Sequence, residues 1–126
     1  MQSIKAASYF VHFQDNGYEK LSALITENNY SSVFILVDEH TIEDCYPKFI
    51  SNLAIDTPIE LIEIESGEIN KNIETCTGVW NVLTELHADR HSLLITLGGG
   101  VITDLGGFVA ATYKRGIDFV NIPTTL

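Results

Sequence analysis

Short runs of apolar, β-branched residues alternate along the chain with stretches whose apolar positions recur every three or four residues, at a spacing of roughly 25 to 35 residues. That alternation predicts βαβ units, and so an α/β fold with a parallel sheet and helices on both faces. The runs predict strands at residues 9–13, 32–37, 59–64, 93–97 and 119–122. The run VFILV at 33–37 is apolar at every position, which predicts a central strand covered on both sides. Between the strands, Tyr18, Leu21, Leu24 and Ile25 form one helical stripe, and Ile69, Ile73, Cys76, Trp80, Leu83 and His87 form a longer one. Thr41, followed by Glu43 and Asp44, has the pattern of an N-cap with acidic first-turn residues, and Pro47 is expected to divide or kink the helix it opens.

Size and charge narrow the function. The chain has 126 residues, 45% of them hydrophobic and 19% charged, which suits one domain around one buried core. Seven Lys and Arg against seventeen Asp and Glu give a formal charge of −10, which repels phosphate backbones and anionic lipid. No nucleic-acid partner and no membrane partner is therefore expected. A small anionic ligand is not excluded, because backbone N–H groups bind phosphate without Lys or Arg. Cys45 and Cys76 lie far apart and form neither a CxxC pair nor a zinc-site spacing, so a reduced, cytoplasmic setting is expected. The start, MQSIKAASYF, lacks an apolar signal core, and the apolar run 33–37 is far too short to span a bilayer. The chain stops at NIPTTL, directly after a predicted strand, which leads to the expectation that it ends in mid-protein.

The strongest local signal is GGGVITDLGGF, residues 98–108, between a predicted strand and a helix-compatible stretch. Glycines there permit positive φ and clear side chains from the path of a ligand, while the helix that follows presents unpaired N–H groups and a positive dipole end. Such a turn suits a diphosphate, although a tight strand-to-helix turn alone would also use it. The usual fingerprints do not fit: G-x-G-x-x-G begun at Gly98 would need Gly at position 103, where Thr103 stands, and no G-K-[ST] follows. Asp38 closes the run SVFILVD, where a carboxylate can accept from two ribose hydroxyls or cap the turn before Thr41. Glu68 and Lys71, three residues apart after another predicted strand, make either a helix-start ion pair or a site that sets Lys71 against a phosphate or a nicotinamide-side oxygen. Asp104 complements the helix dipole or meets a ribose, and Lys114 and Arg115 suit the opposite helix end. Thr124 and Thr125 could donate hydroxyls to a ligand or form a turn. His12, His87 and His91 are scattered and read as non-catalytic, and His40 reads as an exposed loop residue.

Taken together, GGGVITDLGGFVAATYKRG followed by FVNIPTTL, with the GE-x-x-K segment at 67–71 and the strand-end VD at 37–38, resembles the 3-dehydroquinate synthase family from about Val33 to Leu126. The resemblance implies a Rossmann-like parallel-sheet nucleotide-binding domain over 1–126, the first half of a two-domain enzyme, lacking the family's C-terminal all-helical domain. It implies NAD as cofactor, with Asp38 and His40 near the adenosine ribose and Ser66, Gly67, Glu68 and Lys71 lining the dinucleotide. Gly99, Gly100, Val101, Ile102, Thr103 and Asp104 would cradle the diphosphate and its adjoining ribose, and Thr124 and Thr125 would lie toward the nicotinamide. Arg115 matches a residue that reaches across a homodimer interface to the neighbour's substrate phosphate. Zinc or cobalt, most catalytic residues and the lysine-rich loop belong to parts of the family absent here, so this chain alone is expected to be inactive.

For the full enzyme the resemblance implies conversion of 3-deoxy-arabino-heptulosonate 7-phosphate to 3-dehydroquinate and phosphate, in the shikimate pathway. Transient oxidation of a ring hydroxyl by NAD acidifies the neighbouring C–H, phosphate leaves, hydride returns and the ring closes by an aldol step. Two departures are visible: Thr103 stands where many members have a small glycine, and Gly106 where many have Ala. A related sugar-phosphate cyclase, a glycerol-dehydrogenase-like metal alcohol dehydrogenase and a nucleotide-binding module without chemistry are the alternatives.

Overall fold

The computed structural model describes residues 17–123. The predicted strand at 9–13, with His12, and the candidate residues Thr124 and Thr125 lie outside the described residues. In chain order come α1 (Gly17–Glu27), β1 (Ser32–Asp38), α2 (Thr41–Asp44), α3 (Tyr46–Asn52), β2 (Ile59–Ile64), a 3-10 turn (Glu68–Asn70), α4 (Ile73–Glu85), β3 (Ser92–Gly98), α5 (Gly100–Thr112), a second 3-10 turn (Tyr113–Arg115) and β4 (Asp118–Pro123). The four strands form one parallel sheet in the order β2-β1-β3-β4. This is the parallel α/β architecture that the alternation of patterns predicts, and the Rossmann-like sheet that the resemblance implies.

Strand alternation sorts the core into two layers. Phe34 and Leu36 of β1 and Leu94 of β3 face α4 and α5, where they meet Cys76, Val79, Leu83, Ile102, Leu105 and Val109. Val33, Ile35 and Val37, with Leu93, Ile95 and Leu97, face the other way onto Leu21, Leu24, Ile25 and Phe49. Every residue of β3 is buried, as a central parallel strand requires, whereas the edge strand β2 buries only Ile62 and Ile64. Each fully buried Leu, Ile or Phe contributes about 1.5–3 kcal/mol relative to exposure, so these two layers supply the main driving force.

Two expectations from periodicity are corrected. α4 begins at Ile73, capped by Asn72, whose Oδ1 accepts from the Thr75 N–H at 2.9 Å. Ile69 sits in the preceding 3-10 turn, 85% exposed, Ile73 is 60% exposed, and His87 lies past the helix end at φ 64°. The buried stripe is Cys76, Val79 and Leu83. Thr41 is not the capping residue either. Asp38 Oδ1 accepts from the backbone N–H groups of His40 (2.9 Å) and Thr41 (2.8 Å), while Thr41 Oγ1 accepts from the Asp38 N–H (3.0 Å). The Asp38 carboxylate caps the helix start from outside it. Pro47 does divide the helix: it falls in the first turn of α3, where its missing N–H costs nothing.

Close packing of α5 onto the sheet has a specific cause. Thr96 and Asn121 are buried polar residues on neighbouring strands, and Thr96 Oγ1 donates to Asn121 Oδ1 at 2.6 Å. Gly106 lies over this pair, and a Cβ placed there would collide with Thr96 Cγ2.

Candidate functional site

In a parallel sheet all strands end at the same edge, so the loops after β1, β2 and β3 gather there. β1 connects onward to β2 on one side, and the chain then crosses to β3 on the other, so the connections diverge between β1 and β3. Such a switch point leaves a crevice at the carboxyl edge, the usual ligand position in open α/β sheets. Two residues beyond the paired positions Leu36 and Thr96 come Asp38 and Gly98, so the predicted carboxylate and the glycine run flank that crevice.

The glycine run is built differently from the expectation of positive φ. Among the described residues only Gly67 and Gly116 are glycines with positive φ; Gly99 has φ −88°. A Cβ at Gly98 would stand 2.8 Å from Ile102 Cδ1, whereas one at Gly100 would meet nothing within 4 Å. Gly98 is therefore a packing glycine, and Gly100 leaves open space at the helix start. The first α5 hydrogen bond closing on the turn runs from Thr103 N–H to Gly99 O at 3.1 Å. Among the described residues, the N–H groups of Gly100, Val101 and Ile102, which precede it, meet no carbonyl partner, at the positive end of a 13-residue helix. That is an anion-binding arrangement requiring no basic side chain. The Ile102 side chain is buried in the core, so only its backbone faces this site, and Thr103 Oγ1 is turned back to Gly100 O at 3.1 Å.

Asp38 spends Oδ1 on the α2 turn, and Oδ2 accepts no hydrogen bond among the described residues. The capping and ribose-binding readings are thus compatible, one oxygen for each. His40 is exposed, its Nε2 3.7 Å from Glu39 Oε2.

The loop after β2 reaches α5 through charge. Lys71 Nζ lies 3.1 Å from Asp104 Oδ2 and 3.3 Å from Glu68 Oε1, and those carboxylates, Asp104 before Glu68, raise the Lys71 ammonium above its ordinary pKa. The expected Glu68–Lys71 pair is present, and the contact to Asp104 adds a cross-link between the β2–α4 loop and the first turns of α5. Below it opens a cleft of about 290 Å³ lined by Ile73, Cys76, Leu105 and Phe108.

Sequence reasoning missed Glu39. Its Oε1 accepts from the Ser66 N–H and its Oε2 from Ser66 Oγ, both at 2.8 Å. Only the adjacency of β1 and β2, with Asp38 opposite Ile64, brings these positions together, and no local spacing encodes it.

Arg115 stands apart from all of these. α5 runs from the carboxyl edge back across the sheet, so the turn at Tyr113–Arg115 lies at the amino edge, ahead of β4. Lys114 (φ 46°) and Arg115 (φ 70°) both adopt left-handed backbone, followed by Gly116 at φ 108°. Consecutive non-glycine residues in that region are uncommon and mark a turn held in shape by its surroundings.

Residues 61–126 match the family model described as 3-dehydroquinate synthase N-terminal. The chain belongs to the 3-dehydroquinate synthase family. The 3-dehydroquinate synthase of Parabacteroides distasonis is 40% identical over 107 residues, 85% of this chain and 30% of the relative. Among solved structures, the 2-epi-5-epi-valiolone synthase ValA of Streptomyces hygroscopicus, with NAD+ and Zn2+ bound, matches with a TM-score of 0.72 at 28% identity, over 99% of this chain and 35% of that one. A 2-deoxy-scyllo-inosose synthase complexed with carbaglucose-6-phosphate, NAD+ and Co2+ matches with a TM-score of 0.79 at 20% identity, over 93% and 32%, and this likeness speaks for the fold alone. The chain thus spans about a third of the length of each of these three proteins.

Proposed function

We propose that residues 1–126 are the NAD-binding α/β domain of a cytoplasmic 3-dehydroquinate synthase, the enzyme that converts 3-deoxy-arabino-heptulosonate 7-phosphate to 3-dehydroquinate and phosphate in the shikimate pathway. The observation carrying this reading is the coincidence, at the switch point of a family-matched sheet, of three N–H groups without a partner among the described residues, open space at Gly100, and an Asp38 carboxylate with one oxygen unused among the same residues. Identity of 40% to a 3-dehydroquinate synthase, against 28% and 20% to the two other cyclases, favours this member of the wider group.

The fit to the dinucleotide is residue by residue. The N–H groups of Gly100, Val101 and Ile102 would hold its diphosphate, Asp38 Oδ2 a ribose, and Lys71 and Asp104 the ribose toward the nicotinamide. Thr124 and Thr125 would continue the site past β4. When bound, NAD supplies reversible hydride transfer, and the protein supplies position and charge. The acidic domain holds this anion through backbone donors, and with Lys71 partly neutralised by Asp104 and Glu68 it need not carry a basic patch.

A metal is part of the proposed full enzyme, zinc or cobalt, held by residues other than these. Among the described residues no three His, Cys, Asp or Glu side chains come together to hold one. Among the same residues no helix is long and apolar enough to cross a membrane. Arg115 lies at the amino edge, away from its own crevice, and in this reading it reaches the substrate phosphate of a neighbouring copy in a homodimer.

Calorimetric titration with NAD, with ADP as competitor, tests the cofactor reading: saturable heat that ADP suppresses is expected. No heat and no competition at millimolar ligand would overturn it. NAD-dependent phosphate release from the heptulosonate phosphate by the full protein tests the reaction.

A further inference from the structure

The tripeptide Asp38-Glu39-His40 divides its two carboxylates between two loops. Asp38 ties the end of β1 to its own following turn, as described above, whereas Glu39 crosses to the loop after β2 and holds Ser66 by both its backbone N–H and its hydroxyl. These bonds span 27 residues of sequence and bridge the two neighbouring strand ends.

What Glu39 grips decides the importance of the grip. Ser66 precedes Gly67, whose φ of +107° with ψ 147° turns the chain sharply into the 3-10 turn at Glu68–Asn70. Asn70 Nδ2 donates back to Ser66 O at 2.8 Å, so Ser66 is held at its nitrogen, hydroxyl and carbonyl. At the far end Asn72 Nδ2 donates to Ile69 O at 2.9 Å while its Oδ1 caps α4. The segment between has no apolar anchor: Gly67, Glu68, Ile69 and Lys71 are exposed, and Ile69 is 85% exposed. A loop without burial takes its shape from its hydrogen bonds, and local stability there is set by how many remain closed. At the upstream end the only bonds to another element are the two from Glu39, among the described residues.

We infer that Glu39 is a positioning residue, which by clasping Ser66 presets the loop 66–71 beside the β1 end and so prepares this wall of the dinucleotide crevice before the cofactor arrives. The inference rests on the proposed NAD reading. A preset loop spares binding the cost of ordering it, and that saving appears as affinity. The hydrogen bonds from Ser66 also hold the Glu39 carboxyl below its ordinary pKa, so the clasp is closed at neutral pH. Glu39 need not touch the ligand.

Two substitutions in the full protein separate position from charge. Glu39→Gln keeps both bonds, its amide oxygen accepting from the Ser66 N–H and its amide nitrogen donating to Ser66 Oγ, while removing the charge. Glu39→Ala removes both bonds at an exposed site, where folding is not at stake. Amide hydrogen exchange over 66–72 in the cofactor-free protein, and NAD affinity by calorimetry, are the readouts. Expected is faster exchange confined to that loop in Glu39→Ala, an NAD affinity about three- to tenfold weaker, and recovery of both in Glu39→Gln. Unchanged exchange in Glu39→Ala overturns the clasp. Faster exchange with undiminished NAD affinity overturns the positioning role, and a Glu39→Gln protein as impaired as Glu39→Ala shows that charge, not position, was at work. If the unsubstituted protein binds no dinucleotide, the NAD reading itself falls and takes the positioning role with it.

Discussion

Two glycines in the same helix make opposite demands on a methyl group. At Gly100 an added Cβ has open space and φ is not positive, so Gly100→Ala should leave the melting temperature unchanged or slightly raised, since Ala favours helix over Gly by up to about 1 kcal/mol. The same methyl would stand where the proposed diphosphate approaches the helix start, so NAD affinity should fall by about tenfold or more, roughly 1.4 kcal/mol. Paired melting and calorimetric curves check this; normal binding in a normally folded Gly100→Ala protein would remove the diphosphate from this position. At Gly106 the methyl would collide with Thr96 Cγ2, and Gly106→Ala should destabilise by about 1–3 kcal/mol, as overpacking does. Thr96→Ser deletes that Cγ2 and keeps the hydroxyl bonded to Asn121, so the double variant should regain most of the loss in a denaturant titration.

At the scale of elements, legibility followed burial. The strands at 32–37, 59–64, 93–97 and 119–122 agree with β1 to β4 within a residue at each end: the central β1 and β3, covered on both faces, are written as apolar runs, and the edge strand β2, with one wet face, as an alternation of Ile or Leu with Glu. The places of Asp38 at a strand end and of Gly98 and Gly100 at a strand-to-helix turn were legible for a related reason, since strand and helix boundaries follow from the apolar runs, whereas the backbone conformation of the glycines was not. The β2–α4 loop was not. Ile69 extended the α4 stripe in the sequence, yet Asn72 starts the helix later and leaves Ile69 in solvent, an outcome decided by a cap rather than by periodicity. The Glu39–Ser66 clasp was invisible for want of the strand pairing that creates it. Such polar clasps also predict a pH response. Bonds from Ser66 hold Glu39, and bonds from Ser31 and then the His91 N–H hold Asp89, below the ordinary carboxylate range. Free carboxylates titrate at about 4, so the unfolded chain takes up protons there while the folded chain resists. Their stabilisation is therefore complete above that pH and is lost as pH falls through the lowered native values. Melting temperature should be level near neutrality and fall with acid below about pH 5, and Asp89→Asn should flatten the fall. A melting temperature rising with acid over that range would contradict it.

At the scale of the whole molecule, Arg115 and the crevice lie at opposite edges of one sheet, which a single copy cannot reconcile if both serve the same reaction. Two copies related by a twofold axis can, each lending its arginine to the other. Under that arrangement an Arg115→Ala subunit is inactive only for its partner's site, and a Gly100→Val subunit, whose side chain fills the open space at the α5 start, is inactive only for its own. Unfolded and refolded together in equal amounts, they should give half mixed dimers. In each of those, one site joins an intact crevice from the Arg115→Ala copy with an intact Arg115 from the other, so about a quarter of the unsubstituted activity should return, although either variant alone has almost none. If Arg115 served its own copy, every site containing an intact crevice would lack its arginine and every site with its arginine would lack the crevice, so mixing would recover nothing. The same null result with both variants dimeric by sedimentation would leave Arg115 the role of terminating α5, and the twofold reading would fall.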